Sequence, residues 1–157
     1  MIRVVQVGLG FWGRSWAEVV RDAEGAELTA VVDPSPEASL FVEEELRLPS
    51  GNHHATLDEA LEKTECDCIL VVTPPGTHHG VVAEALEAGK HVLVEKPLDT
   101  TLSGALALVQ AAKRAGRILM VSQNYRFNAP FRAAQGVVRS GAPIEVGGWI
   151  RPEGALT

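Results

Sequence analysis

Three glycines, Gly8, Gly10 and Gly13, stand in the spacing G-x-G-x-x-G, and an acid, Asp33, follows 20 residues after the last of them. Each glycine suits a separate task. Gly8 permits a tight turn, Gly10 lets a charged group approach the backbone with no Cβ in the way, and Gly13 lets a helix pack closely on a strand. The unpaired N–H groups of a helix start then face an anion such as a pyrophosphate. A carboxylate at the position of Asp33 accepts hydrogen bonds from both hydroxyls of an adenosine ribose and repels a 2′-phosphate. No Arg or Lys lies between Val32 and Leu46 to neutralise such a phosphate. The pattern predicts a site for NAD, with NADP disfavoured. Two alternatives stay open at this level. The turn can serve packing alone with Asp33 as a strand-end cap, or it can hold another ligand such as S-adenosylmethionine.

The motif is weak unless a strand precedes it and a helix follows. Arg3 to Gly8 is an apolar run ending in glycine, and Trp12, Trp16, Val19 and Val20 recur at helical spacing. Glu27 to Asp33 is a second strand, and Ser35-Pro36-Glu37 opens a helix to about Leu46, with Ser35 as its cap. Thr56-Leu57-Asp58-Glu59 matches a capping box and starts a helix to about Lys63. Cys68 to Thr73 reads as a buried parallel strand, Val81, Val82, Ala85 and Leu86 as a helix ending at Gly89, and Val92 to Glu95 as another strand. Leu102, Leu106 and Val109 mark a helix stopped by Gly116, and Ile118 to Ser122 is the last strand of the sheet. This alternation predicts an α/β fold of the Rossmann type: a doubly wound, mainly parallel six-stranded sheet with helices on both faces.

After Ser122 the character changes. Asn124-Tyr125-Arg126-Phe127 leads to Pro130 and a helix to Arg139, Gly141 and Pro143 break it, and Ile144 to Arg151 is one more strand candidate. Two parts are expected: a dinucleotide-binding domain over 1–123 and the start of a second domain over 124–157.

With 46% hydrophobic and 22% charged residues in 157, the composition is that of a globular α/β protein. The net charge of −6 argues against nucleic acid or an anionic membrane as a partner, and leaves a phosphate bound by backbone N–H groups unaffected. No run approaches the ~18 apolar residues of a membrane span, and Met1-Ile2-Arg3-Val4-Val5 goes straight into a strand without signal-peptide anatomy. Cys66 and Cys68 lack further metal ligands nearby in sequence and read as buried thiols. No metal is expected, and a reducing cytoplasm fits.

Four further segments resemble the Gfo/Idh/MocA oxidoreductases, the family of glucose–fructose oxidoreductase and inositol dehydrogenase. Thr73-Pro74-Pro75-Gly76-Thr77-His78 resembles the family's T-P-x-x-x-H stretch, Ala88-Gly89-Lys90-His91-Val92 its A-G-K-H-V, Glu95-Lys96-Pro97 its E-K-P, and Asn124-Tyr125-Arg126-Phe127 the segment that opens its second domain. The match runs in order over nearly the whole chain, and E-K-P placed after A-G-K-H-V is its most specific part.

The resemblance implies roles. Thr73, Pro74 and Pro75 line the cofactor at the end of the fourth strand, where open α/β sheets bind ligands. His78 sits at the next helix start, as a cofactor neighbour or as an ordinary first-turn residue. Glu95, Lys96 and Pro97 stand beside the nicotinamide, with Lys96 as the catalytic residue that assists proton transfer. The Lys96–Pro97 peptide is cis, as in relatives. Phe11 and Trp12 complete the glycine turn, and Trp12 either shields the cofactor or packs, as Trp16 does. Asn124 and Arg126 join the cofactor set, with an acid between domains as the alternative partner of Arg126. His79 and the pair His53-His54 match nothing and read as surface residues.

The chain departs from the family pattern at its far end. Members carry a second α/β domain that supplies most of the substrate pocket, a histidine with a nearby acid, and usually the oligomer interface. Here Trp149, Ile150 and Leu156 form an apolar end that wants a partner surface. The resemblance thus implies the NAD(H)-binding half of an oxidoreductase acting on a sugar, cyclitol or similar polyol, from a homo-oligomeric parent, with this chain alone inactive. The alternative is a non-catalytic NAD-sensing module of the same fold.

Overall fold

The computed structural model describes residues 1–141. Strand β1 (Ile2–Val7) is followed by α1 (Phe11–Asp22), β2 (Ala26–Val32), α2 (Ala38–Glu44), β3 (His53–His54), α3 (Leu57–Lys63), β4 (Cys68–Val71), α4 (His78–Glu87), β5 (His91–Val94), α5 (Leu102–Ala115) and β6 (Leu119–Val121). The six strands form one all-parallel sheet in the order β3-β2-β1-β4-β5-β6. The chain therefore leaves β1 in one direction across the sheet and returns to β1's other side at β4, which makes the edge between β1 and β4 the point where ligands bind in such folds.

Both faces are covered. Successive side chains of β1 and β4 point to opposite sides: Val5, Val7, Ile69 and Val71 enter a core with Leu57, Val82, Leu86 and Leu108, while Val4, Leu70 and Val72 enter one with Ala17, Val20 and Val42. α1 and α2 thus cover one face, and α3, α4 and α5 the other. Cys66 is a buried thiol as expected, whereas Cys68 is only half-buried, and burial pushes both thiols upward.

Several sequence expectations shift. The helix after Ser35 begins at Ala38, because residues 35–38 first close a turn through Ala38 N–H to the Ser35 carbonyl, and Ser35 does not cap it. Half of the capping box at Thr56 forms: its Oγ1 accepts from Glu59 N–H at 3.3 Å, but the Glu59 carboxylate accepts the N–H of Ala55, one residue before the cap. His53 and His54 are not surface residues. They form β3, His54 is buried, and the His53 ring meets the Asp33 carbonyl at 2.9 Å. On α5 the stripe of Leu102, Leu106 and Val109 faces outward, and Leu108 and Ala112 carry the buried face.

Residues 123–141 belong to a second compact unit. A short turn over Asn124–Phe127 leads into α6 (Ala129–Arg139), which carries Pro in its first turn. Ile144 to Arg151 and the apolar Trp149, Ile150 and Leu156 lie outside the described residues. No helix among the described residues is long and apolar enough to cross a membrane.

Candidate functional site at the carboxyl edge of the sheet

Strand register gathers the site. Val7 pairs with both Val32 and Val71, and Val71 pairs with Val94, so these four strands stop level with one another. Gly8, Asp33 and Glu95, which come next, and Thr73, one residue further on, therefore share one edge of the sheet.

The glycine turn has the construction its spacing implies. Gly8 has φ +99, and a Cβ there would stand 2.5 Å from the Val72 carbonyl oxygen. A Cβ on Gly13 would stand 2.3 Å from the Gly8 carbonyl oxygen, so α1 can approach β1 this closely only with glycine at that place. Gly10 is different: it is exposed, and a Cβ would meet nothing within 4 Å. Gly10 also precedes α1 without any side-chain cap, which leaves first-turn N–H groups facing open space. Phe11 and Trp12 stand exposed on that first turn, edge to face with centroids 5.5 Å apart. Trp12 is therefore not a core residue.

Gln6 holds the turn from beneath. Its buried Nε2 donates to the carbonyls of Gly8 at 2.9 Å and Gly13 at 2.7 Å. The Asp33 carboxylate accepts the Leu9 N–H at 2.7 Å through one oxygen and the Ser35 N–H at 2.9 Å through the other. A carboxylate offers about four lone-pair directions, so each oxygen keeps one for a ribose hydroxyl. An open cradle at a helix start and a half-free acid at the next strand end fit a dinucleotide.

Beyond β4, Pro74 and Pro75 are exposed in a short turn that Thr77 closes: its Oγ1 donates to Pro74 O at 2.8 Å and shares a second hydrogen bond of 2.8 Å with the Thr73 hydroxyl. His78 is buried at the first position of α4. Its two ring nitrogens lie 2.8 Å from the Thr73 carbonyl and 2.7 Å from the Pro97 carbonyl, which ties the two loops together. His79 is half exposed and pairs with Asp99 at 2.7 Å, an interaction no sequence signal indicated.

Beyond β5, Glu95 is half-buried and Lys96 is exposed, followed by a cis peptide to Pro97. Glu95 Oε1 accepts the indole N–H of Trp16 at 3.0 Å, and Oε2 accepts the Lys96 N–H at 3.0 Å. No ion pair among the described residues involves Lys96. In the second unit, the Arg126 guanidinium lies over the Phe127 ring, 5.6 Å from its centroid, and Asn124 begins the same turn.

Sequence reasoning missed Gln6 and the polar role of Trp16. A lone Gln inside an otherwise apolar buried strand is the signal that marks the first; nothing local marks the second. Among the described residues no group of His, Cys, Asp and Glu is arranged to hold a metal ion. A cavity of about 370 Å³ lined by Glu27, Thr29, Asn52 and Lys63 lies at the opposite, amino edge and contains none of the residues above.

Residues 2–123 match the model of the Gfo/Idh/MocA oxidoreductase family, NAD-binding Rossmann fold. The chain is 35% identical over 146 residues to the oxidoreductase YdgJ of Escherichia coli, covering 92% of this chain and 41% of that protein. It is 32% identical to scyllo-inositol 2-dehydrogenase (NAD(+)) of Bacillus subtilis, covering 98% and 46%. Among solved structures, scyllo-inositol dehydrogenase from Lactobacillus casei with bound NAD(H) and scyllo-inositol superposes with a TM-score of 0.83 at 25% identity, covering 90% of this chain and 42% of that one. The chain thus spans less than half the length of these relatives. It belongs to the Gfo/Idh/MocA oxidoreductase family and carries that family's NAD-binding Rossmann domain.

Proposed function

We propose that this chain is the cofactor half of an NAD-dependent oxidoreductase acting on a CH–OH centre of a sugar, cyclitol or similar polyol. One observation carries the reading: the strand register puts the glycine cradle, Asp33 and the Lys96 turn on a single edge of the sheet. The named activity of the scyllo-inositol relatives supports the substrate class.

NAD(H), when bound, supplies the hydride acceptor or donor. The chain's own residues do the rest. The N–H groups at the start of α1 hold the pyrophosphate beside Gly8, Gly10 and Gly13, and Phe11 and Trp12 flank it. Asp33 holds the adenosine ribose. Thr73, Pro74, Pro75 and His78 form the wall at the end of β4. Glu95 and Pro97 frame Lys96, whose amine takes the hydroxyl proton as a carbinol is oxidised and returns it in reduction. Residues 1–123 form the dinucleotide domain and 124–157 begin the substrate domain, with Asn124 and Arg126 assigned to the cofactor set. A homo-oligomeric, cytoplasmic parent whose partner is a small polyol completes the reading. Net charge disfavours nucleic acid or an anionic membrane in that place.

The test is NADH formation by the protein that carries this chain, over a panel of cyclic and linear polyols. Turnover with at least one of them is expected, falling about 100-fold or more in Lys96→Ala while NADH affinity stays within about twofold. Turnover unchanged by Lys96→Ala removes Lys96 from the chemistry. Robust polyol oxidation by the 157 residues alone would overturn the assignment of this chain as half of an enzyme.

A further inference from the structure

The turn that carries Lys96 is held from two sides. After it, the His78 ring meets the Pro97 carbonyl. Before it, both oxygens of Glu95 are engaged, one by Trp16 and one by the backbone N–H of Lys96 itself. Trp16 lies on α1, one turn beyond Gly13, on the helix whose start faces the pyrophosphate. It is half-buried against the α1 side of the core, and its one polar atom points at a carboxylate 79 residues away. Core packing alone does not call for this contact, because an apolar side chain also covers core surface and has no N–H to place.

We propose that Trp16 is a positioning residue for the reaction: its indole N–H locks the Glu95 carboxylate, and Glu95 sets the backbone from which the Lys96 amine reaches the carbinol. The proposal rests on the role given to Lys96 above. An N–H donated to a carboxylate makes one of the stronger hydrogen bonds available to a protein. With its other oxygen on the Lys96 N–H, the carboxylate passes that constraint to the plane of the Glu95–Lys96 peptide. Lysine has a long flexible stem, so the direction of its Cα–Cβ bond decides which volume the amine samples. A displacement of about 1 Å at a reacting group can cost up to ~100-fold in rate.

The experiment is a double-mutant cycle in the protein that carries this chain, with Trp16→Phe, Glu95→Ala and the double variant. Trp16→Phe is expected to leave NADH affinity within about twofold, to lower kcat about tenfold with a smaller change in KM, and to have little further effect once Glu95 is alanine. A readout without turnover runs beside it: the rate at which an amine-reactive reagent labels Lys96, read by mass spectrometry of the peptide that holds it. That rate should change in Trp16→Phe when Glu95 is present and stay the same when Trp16→Phe is added to Glu95→Ala. Equal kcat losses for Trp16→Phe in both backgrounds, or unchanged labelling, overturn the proposal. If Lys96→Ala leaves turnover intact, the role of Lys96 falls, and with it the kinetic part of the proposal, while the labelling cycle still decides whether Trp16 acts on Lys96 through Glu95. If Trp16→Phe does not fold, the benzothienyl analogue of tryptophan at position 16, with sulfur in place of N–H, takes its place in the same cycle with the same expected results.

Discussion

A Cβ on Gly13 would stand 2.3 Å from the carbonyl oxygen of Gly8, whereas one on Gly10 would touch nothing. Two glycines of one motif therefore carry different burdens, and alanine at each separates them. Gly13→Ala forces α1 away from β1 and pulls on the Gln6 clamp, at a cost of about 2–3 kcal/mol in urea unfolding. Gly10→Ala keeps the fold, since its φ of −67 suits alanine, and weakens NADH by about tenfold or more, ~1.4 kcal/mol, because the methyl occupies the place of the pyrophosphate. Equal unfolding midpoints for the two variants would contradict this division.

Asp33 is held by the Leu9 and Ser35 N–H groups, with the rest of its carboxylate open. Calorimetric titration with NADH and NADPH is expected to show tighter NADH binding. Asp33→Ala should weaken NADH about tenfold or more and bring the two affinities closer together, because both ribose hydrogen bonds and the repulsion of a 2′-phosphate are lost. A selectivity ratio unchanged by the substitution would detach Asp33 from the ribose.

The glycine turn and Asp33 were legible because each position demands a residue type for a local reason. The sheet was legible from alternation, but β3 was not: two histidines make a strand too short to show a period, and only pairing with β2 defines it. α5 carries two apolar stripes, and periodicity does not tell which faces inward. The outer one holds Leu102, Leu106 and Val109, while Leu108 and Ala112 form the buried face, and only the approach of α4 to α5 decides between them. Gln6 and Trp16 escaped for another reason. Their partners are set by tertiary approach, and the Trp16–Glu95 contact spans 79 residues.

His78 is buried, and its ring spans two carbonyls from different loops. His78→Leu fills much of the same volume but leaves the Thr73 and Pro97 carbonyls without that partner. The expected loss is about 2 kcal/mol of stability, with faster amide exchange over residues 73–77 and 96–101 before the rest of the sheet opens. Uniform destabilisation with no local change in exchange would show that the ring serves only as core volume.

His54 gives the fold a pH dependence. Burial in β3, with its Nε2 3.3 Å from Thr64 Oγ1, pushes its pKa below the ordinary 6.5. Between that lowered value and 6.5 the unfolded chain binds more protons than the folded one, so stability rises with pH across the window and falls on acidification. Lower still, Arg3 holds the Asp67 carboxyl well below the usual carboxylate range, and protonating Asp67 removes a second contribution in the same direction. Glu84 acts the other way: burial beside Asp58 raises its pKa above 4.5, so acid in that range favours the folded state. The clean probe is therefore the window above the carboxylates. The melting temperature should fall as pH drops from about 7 to about 5, and His54→Leu should flatten that slope while leaving the acid limb of Asp67 in place. A slope that survives His54→Leu would assign the titration to another group.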